Sequence, residues 1–121
     1  MAEERRRYSR LRCHLPVRVY PEGKPRVIQT LTKDLSLGGA KIVTPSNFSD
    51  EVVTVEIDLG KHQSVRLHAK PVWSHAIPNS EQFYLGLSFQ KIPDTIRQLL
   101  SRYLEDLSSR HAKESQSVST Y

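Results

Sequence analysis

V-V-T-V-E-I-D-L, residues 52–59, alternates apolar and polar side chains from Val53 onward. Successive side chains of a strand point to opposite faces. Val53, Val55, Ile57 and Leu59 therefore share one face, and Thr54, Glu56 and Asp58 the other. A helix would scatter the same residues around its axis. The stretch reads as a strand that is dry on one side and wet on the other.

The neighbouring text repeats that pattern. G-K-H-Q, residues 60–63, is a hairpin-like break. In S-V-R-L-H-A-K-P-V-W-S-H-A-I, residues 64–77, Val65, Leu67 and Ala69 alternate, and Pro71 marks a bulge or an edge. Q-F-Y-L-G-L-S-F, residues 82–89, sets Phe83, Leu85, Leu87 and Phe89 on one face. Upstream, Leu15, Val17 and Val19 alternate with polar residues or Pro, and P-E-G-K-P turns the chain. Val27, Ile28, Thr30, Leu31 and Thr32 form a β-rich run, and G-A-K-I-V-T, residues 39–44, another. Six short strands separated by turn signals predict a mainly β fold, an antiparallel sandwich or barrel. A barrel hides the edges such strands otherwise expose.

The period changes after Pro93. Ile96, Leu99, Leu100, Tyr103, Leu104 and Leu107 recur at helical spacing, with Asp94 as the N-cap candidate. One amphipathic helix is expected, laid over the barrel or across a mouth. From residue 108 the chain turns polar and is expected to be a loose tail. The predicted organisation is a basic arm over 1–12, a folded unit over 13–107 and the tail over 108–121.

A chain of 121 residues is most simply one domain. It has no apolar run long enough to span a membrane and no apolar leader at its start, so a cytoplasmic location is expected. Cys13 is the only cysteine and reads as a buried thiol. The net charge of +5 is uneven: residues 1–12 hold five arginines and two glutamates, so +3 lies in the arm and +2 in all the rest. A local cluster points to a site or a solvated arm rather than to a generally cationic surface.

Signs of catalysis are lacking. The five histidines show no metal-ligand spacing, and His68 and His75, seven apart, would face opposite ways on a regular strand. No serine lies in a nucleophile elbow, and no glycine loop leads into a P-loop lysine. The chain is read as not an enzyme, with neither metal nor cofactor.

Binding is the alternative, and two stretches carry it. In R-R-R-Y-S-R, residues 5–10, Arg5, Arg6, Arg7 and Arg10 are arginine with no lysine among them. The guanidinium fork grips phosphate oxygens in pairs and matches the O6 and N7 acceptors of guanine. The bland reading, a solvated basic terminus, stands beside this one. In D-L-S-L-G-G, residues 34–39, an ionised Asp34 is an acceptor for the N–H donors on a guanine edge. Ser36 adds a hydroxyl, and Gly38 and Gly39 let backbone approach a ligand. The bland reading here is a turn between strands. Together the two stretches describe a site for a guanine nucleotide.

At these motifs the sequence resembles the PilZ domain family, bacterial receptors for cyclic di-GMP. The family is marked by R-x-x-x-R and, some twenty to thirty residues on, by [D/N]-x-S-x-x-G; here these are Arg6 to Arg10 and Asp34 to Gly39. L-P-V-R-V, V-W at 72–73 and Y-L-G-L-S-F at 84–89 are similar to the family's strands, and the resemblance runs from about Glu4 to Leu107. It implies a six-stranded antiparallel β-barrel with a C-terminal helix. It implies that Arg6 and Arg10 hold phosphate and guanine, with Arg5 and Arg7 as added contacts. Asp34, Ser36 and Gly39 would line the other side of the ligand, and Trp73 would lie close by. The arm is expected to order on binding and to change the surface shown to a downstream protein partner. The rival readings are a small basic barrel that binds nucleic acid, disfavoured by the few aromatic residues, and a PilZ-fold adaptor without ligand.

Overall fold

The computed structural model describes residues 10–23, 25–45 and 52–119, with residues 111–119 as backbone only. Among these residues seven strands run β1 (Leu11–Arg12), β2 (Pro16–Pro21), β3 (Ile28–Leu35), β4 (Gly39–Thr44), β5 (Val53–Gly60), β6 (Gln63–Ala76) and β7 (Phe83–Gln90), followed by one helix, α1 (Asp94–Ser119). All pairings are antiparallel, and neighbours follow the order β1-β3-β2-β5-β6-β7-β4 with β4 returning to β3. The return closes β2 to β7 into the six-stranded barrel the sequence predicts. β1 is an addition that lies along the same side of β3 as β2.

Alternation fills the interior. Val53, Val55, Ile57 and Leu59 are buried, as are Val65, Leu67 and Ala69 on β6 and Leu85, Leu87 and Phe89 on β7. Each of the larger side chains contributes about 1.5–3 kcal/mol relative to exposure. The break between β1 and β2 is held by Thr32, which is fully buried. Its Oγ1 donates to the Cys13 carbonyl at 2.6 Å and accepts from the Leu15 N–H at 2.9 Å.

Two bulges reset the alternation. On β3 the register with β4 shifts between Thr32 and Asp34. Thr32 and Leu35 both point inward although they are three residues apart. The extra residue, Lys33, absorbs the difference, so Lys33 and Asp34 both reach the outer surface. On β6 the shift falls between Pro71 and Trp73. Val72 is the added residue and is exposed. That bulge turns Trp73 and His75 outward, so His68 and His75 are both exposed on the outer face, unlike the opposed placement of a regular strand.

Leu100, Leu104 and Leu107 of α1 are buried, with Ile96, Leu99 and Tyr103 packed against the same core. The helix lies nearest β6 and β1. The Arg97 N–H bonds the Pro93 carbonyl at 2.9 Å, which makes Pro93 the N-cap and puts Asp94 one residue inside the helix rather than at the cap. There its charge faces the positive end of the helix dipole. The polar segment expected to be loose from residue 108 is helical as far as Ser119. A helix already nucleated on a packed face extends through residues of good helix propensity such as Ala112, Lys113 and Glu114.

Candidate functional site

Asp34 sits in β3 with a neighbour on each side: Arg12 of β1 and Lys41 of β4. The same row continues from Lys41 to Gly86 of β7 and from Gly86 to Trp73 of β6. Partners across an antiparallel pair share a face. Arg12, Asp34, Lys41, Gly86 and Trp73 therefore form one band across the outside of the barrel. The inward row beside it holds Leu11, Leu35, Ala40 and Leu87, which fixes the register by burial.

Asp34 is short of partners. One carboxylate oxygen, Oδ1, is buried with no hydrogen-bond donor among the described residues. The other, Oδ2, has the Lys41 ammonium at 3.8 Å, an ion pair beyond hydrogen-bond range. The Lys41 Nζ also lies over the Tyr84 ring, 5.3 Å from its centroid. A carboxylate held this way keeps most of its acceptor capacity for an incoming donor.

Around Asp34 opens a groove of about 460 Å³, walled by Arg10, Arg12, His14, Lys33, Lys41 and Tyr84. Its four arginines and lysines against one aspartate leave +3. A second groove of about 390 Å³ lies over β2, β3, β5 and β6. Its charges nearly cancel: Arg18 faces Glu56 and Asp58, a net of −1. They are also engaged, with Arg18 to Glu56 at 3.2 Å and Asp58 accepting from the Gly60 N–H at 2.8 Å. Net positive charge singles out the groove around Asp34.

The turn after Asp34 is built by Ser36. Its buried hydroxyl oxygen accepts the Gly38 and Gly39 N–H groups, each at 3.1 Å, and the Ser36 N–H bonds the Gly39 carbonyl at 2.9 Å. That hydroxyl is spent within the turn and does not line the groove. The Gly38 carbonyl accepts the Phe89 N–H at 2.9 Å, tying the turn to β7. Gly39 is required by close approach: a Cβ there would lie 2.0 Å from the Leu87 carbonyl oxygen. At Gly86 a Cβ would lie 2.2 Å from the Trp73 indole, which covers that position. Trp73 also meets His75 edge-on, with ring centroids 5.9 Å apart.

Of the residues the sequence singles out, Arg10 and Asp34 come together in the groove. Trp73 lies in the same band, and Ser36, Gly38 and Gly39 shape the turn beneath. Arg5, Arg6 and Arg7 lie outside the described residues. Sequence reasoning misses Arg12, His14, Lys33, Lys41 and Tyr84. The alternation of β4 and β7 points to Lys41 and Tyr84 as outward residues, but not to which strands flank β3. Among the described residues, no three His, Cys, Asp or Glu side chains come together as a metal set, and no helix is long and apolar enough to cross a membrane.

The profile of the PilZ domain matches residues 4–106. The chain belongs to the PilZ domain family. No curated protein matches the sequence. Among solved structures, the Bacillus subtilis inhibitor of motility MotI/DgrA is 26% identical, with a TM-score of 0.72 over 88% of this chain and 51% of that one. The PilZ domain of YcgR from Escherichia coli, solved with c-di-GMP, is 17% identical, with a TM-score of 0.71 over 93% of this chain and 98% of that one. This PilZ chain thus spans about half the length of the B. subtilis protein. The likeness to the YcgR domain, at its identity, is one of fold.

Proposed function

We propose that this PilZ protein is a receptor for cyclic di-GMP and that the groove around Asp34 is where the dinucleotide binds. The observation that carries the reading is the state of Asp34: a carboxylate with one buried oxygen unpartnered among the described residues, at the centre of a groove of net +3. Such a site asks for a ligand that brings N–H donors to the carboxylate and negative charge to its rim. A guanine edge supplies the donors, and the two phosphates supply the charge. Family membership and the ligand present in the E. coli YcgR domain support the same choice.

In this reading Asp34 accepts the donor edge of one guanine. Arg10 and Arg12, with Arg6 of the arm, hold phosphate and the acceptor face of guanine, and Arg5 and Arg7 add contacts. Trp73 borders the ligand. Ser36, Gly38 and Gly39 act by holding Asp34 in place and by keeping side chains away from the base. A nucleotide held this way joins the arm to the barrel surface, and the joined surface is what a downstream protein reads. Titration calorimetry against cyclic di-GMP, cyclic di-AMP, GTP and a short DNA tests it. The expected result is saturable binding of cyclic di-GMP in preference to the other three. Salt-sensitive binding of DNA with no preference for the dinucleotide would instead favour a nucleic-acid barrel.

A further inference from the structure

Lys41 is paired with the carboxylate at the centre of the groove. Its ammonium lies 3.8 Å from Oδ2 of Asp34, and it is steadied from the other side by the Tyr84 ring. The register fixes this: Lys41 pairs with Asp34 on β3 and with Gly86 on β7, so its neighbour on one side is a carboxylate and on the other a residue with no side chain. The pair is largely sheltered, with the lysine side chain 33% exposed and that of Asp34 17%.

We propose that Lys41 is a built-in competitor for Asp34, a placeholder that the ligand's donors must displace. This rests on the reading of the groove as a guanine-nucleotide site. The contact is suited to displacement. At 3.8 Å it offers charge without a hydrogen bond, so a guanine edge that brings N–H groups to hydrogen-bond distance gains what the lysine does not supply. The ammonium, once released, remains in a groove that then holds two phosphates. The lysine therefore acts twice with opposite sign: it opposes entry at the carboxylate and favours the anion afterwards.

A double-mutant cycle separates the two effects, because the attraction to phosphate is present whether or not residue 34 is charged. Affinity for cyclic di-GMP is measured on the full chain, on Lys41→Met, on Asp34→Asn and on the double variant. Replacing Lys41 is expected to be more favourable by about three- to tenfold in the wild-type chain than in the Asp34→Asn chain, the range of a part-buried ion pair. Equal effects in the two backgrounds, or the opposite order, would overturn the proposal. A wild-type chain that binds no cyclic di-GMP would instead remove the nucleotide reading and the proposal with it. A ligand-free measurement checks the contact itself: acylation of lysine amines by a small active ester, read by mass spectrometry with the exposed Lys61 and Lys70 as references. Lys41 should react faster in Asp34→Asn than in the wild type, and an unchanged rate would contradict the placeholder.

Discussion

Substituting Asp34 by Asn keeps its size and removes its charge. If its carboxylate takes the donors of guanine, the change should lower affinity for cyclic di-GMP by about ten- to a hundredfold, the span of a charge-assisted hydrogen bond of about 1.5–3 kcal/mol. Arg10→Ala should cost a similar factor in calorimetry and should also flatten the salt dependence of binding. The two motif residues are legible in the sequence because arginine clusters and a carboxylate before a Ser-Gly-Gly turn are unusual together. Their cationic neighbours are not, since Arg12, Lys33 and Lys41 gain meaning only when β1, β3 and β4 lie side by side. A different residue carries a pH prediction. Burial raises the Cys13 thiol above its ordinary 9.0; the Thr32 hydrogen bond opposes this and the Asp34 charge adds to it. Burial and then Cys13 likewise raise Tyr103 above its ordinary 10.0, against Arg110. Both groups favour their neutral forms when folded, so their contribution is complete below about pH 9 and is lost as pH climbs through the raised values. Thermal melts should show stability falling above about pH 9, and Cys13→Ala should make that fall shallower.

Strand contacts set where the site residues point. Gly39→Ala would force a Cβ against the Leu87 carbonyl and push β4 away from β7. Denaturant unfolding should show a loss of about 1–3 kcal/mol, the usual penalty of overpacking. Thr32→Val keeps the shape of the side chain but strands the Cys13 carbonyl and the Leu15 N–H. It should destabilise by about 1–3 kcal/mol and loosen the segment that presents Arg10 and Arg12. The strands themselves are plain from alternation, and Pro71 announces its bulge. The bulge at Lys33 is hidden, because in the sequence the β-rich run stops at Thr32 and D-L-S-L-G-G reads as a turn, whereas Asp34 and Leu35 belong to β3.

Across the whole molecule, the barrel brings Arg12 of β1 against Asp34 at the end of β3, and the helix packs over the same core. Leu100 is fully buried beneath that helix. Leu100→Ala should cost about 2–5 kcal/mol in denaturant unfolding. The helical face is legible from its spacing; its continuation to Ser119 is not, because polar residues carry no periodic signal and extend a helix already anchored elsewhere. The two outer grooves offer the sharpest test of the account. Amide NMR spectra of the chain, titrated with cyclic di-GMP, report both at once. Shifts are expected at Arg10, Arg12, Asp34 to Lys41 and Tyr84, with Arg18, Glu56 and Asp58 unmoved. Shifts gathered around Arg18 and Glu56, or none at all at saturating ligand, would contradict it.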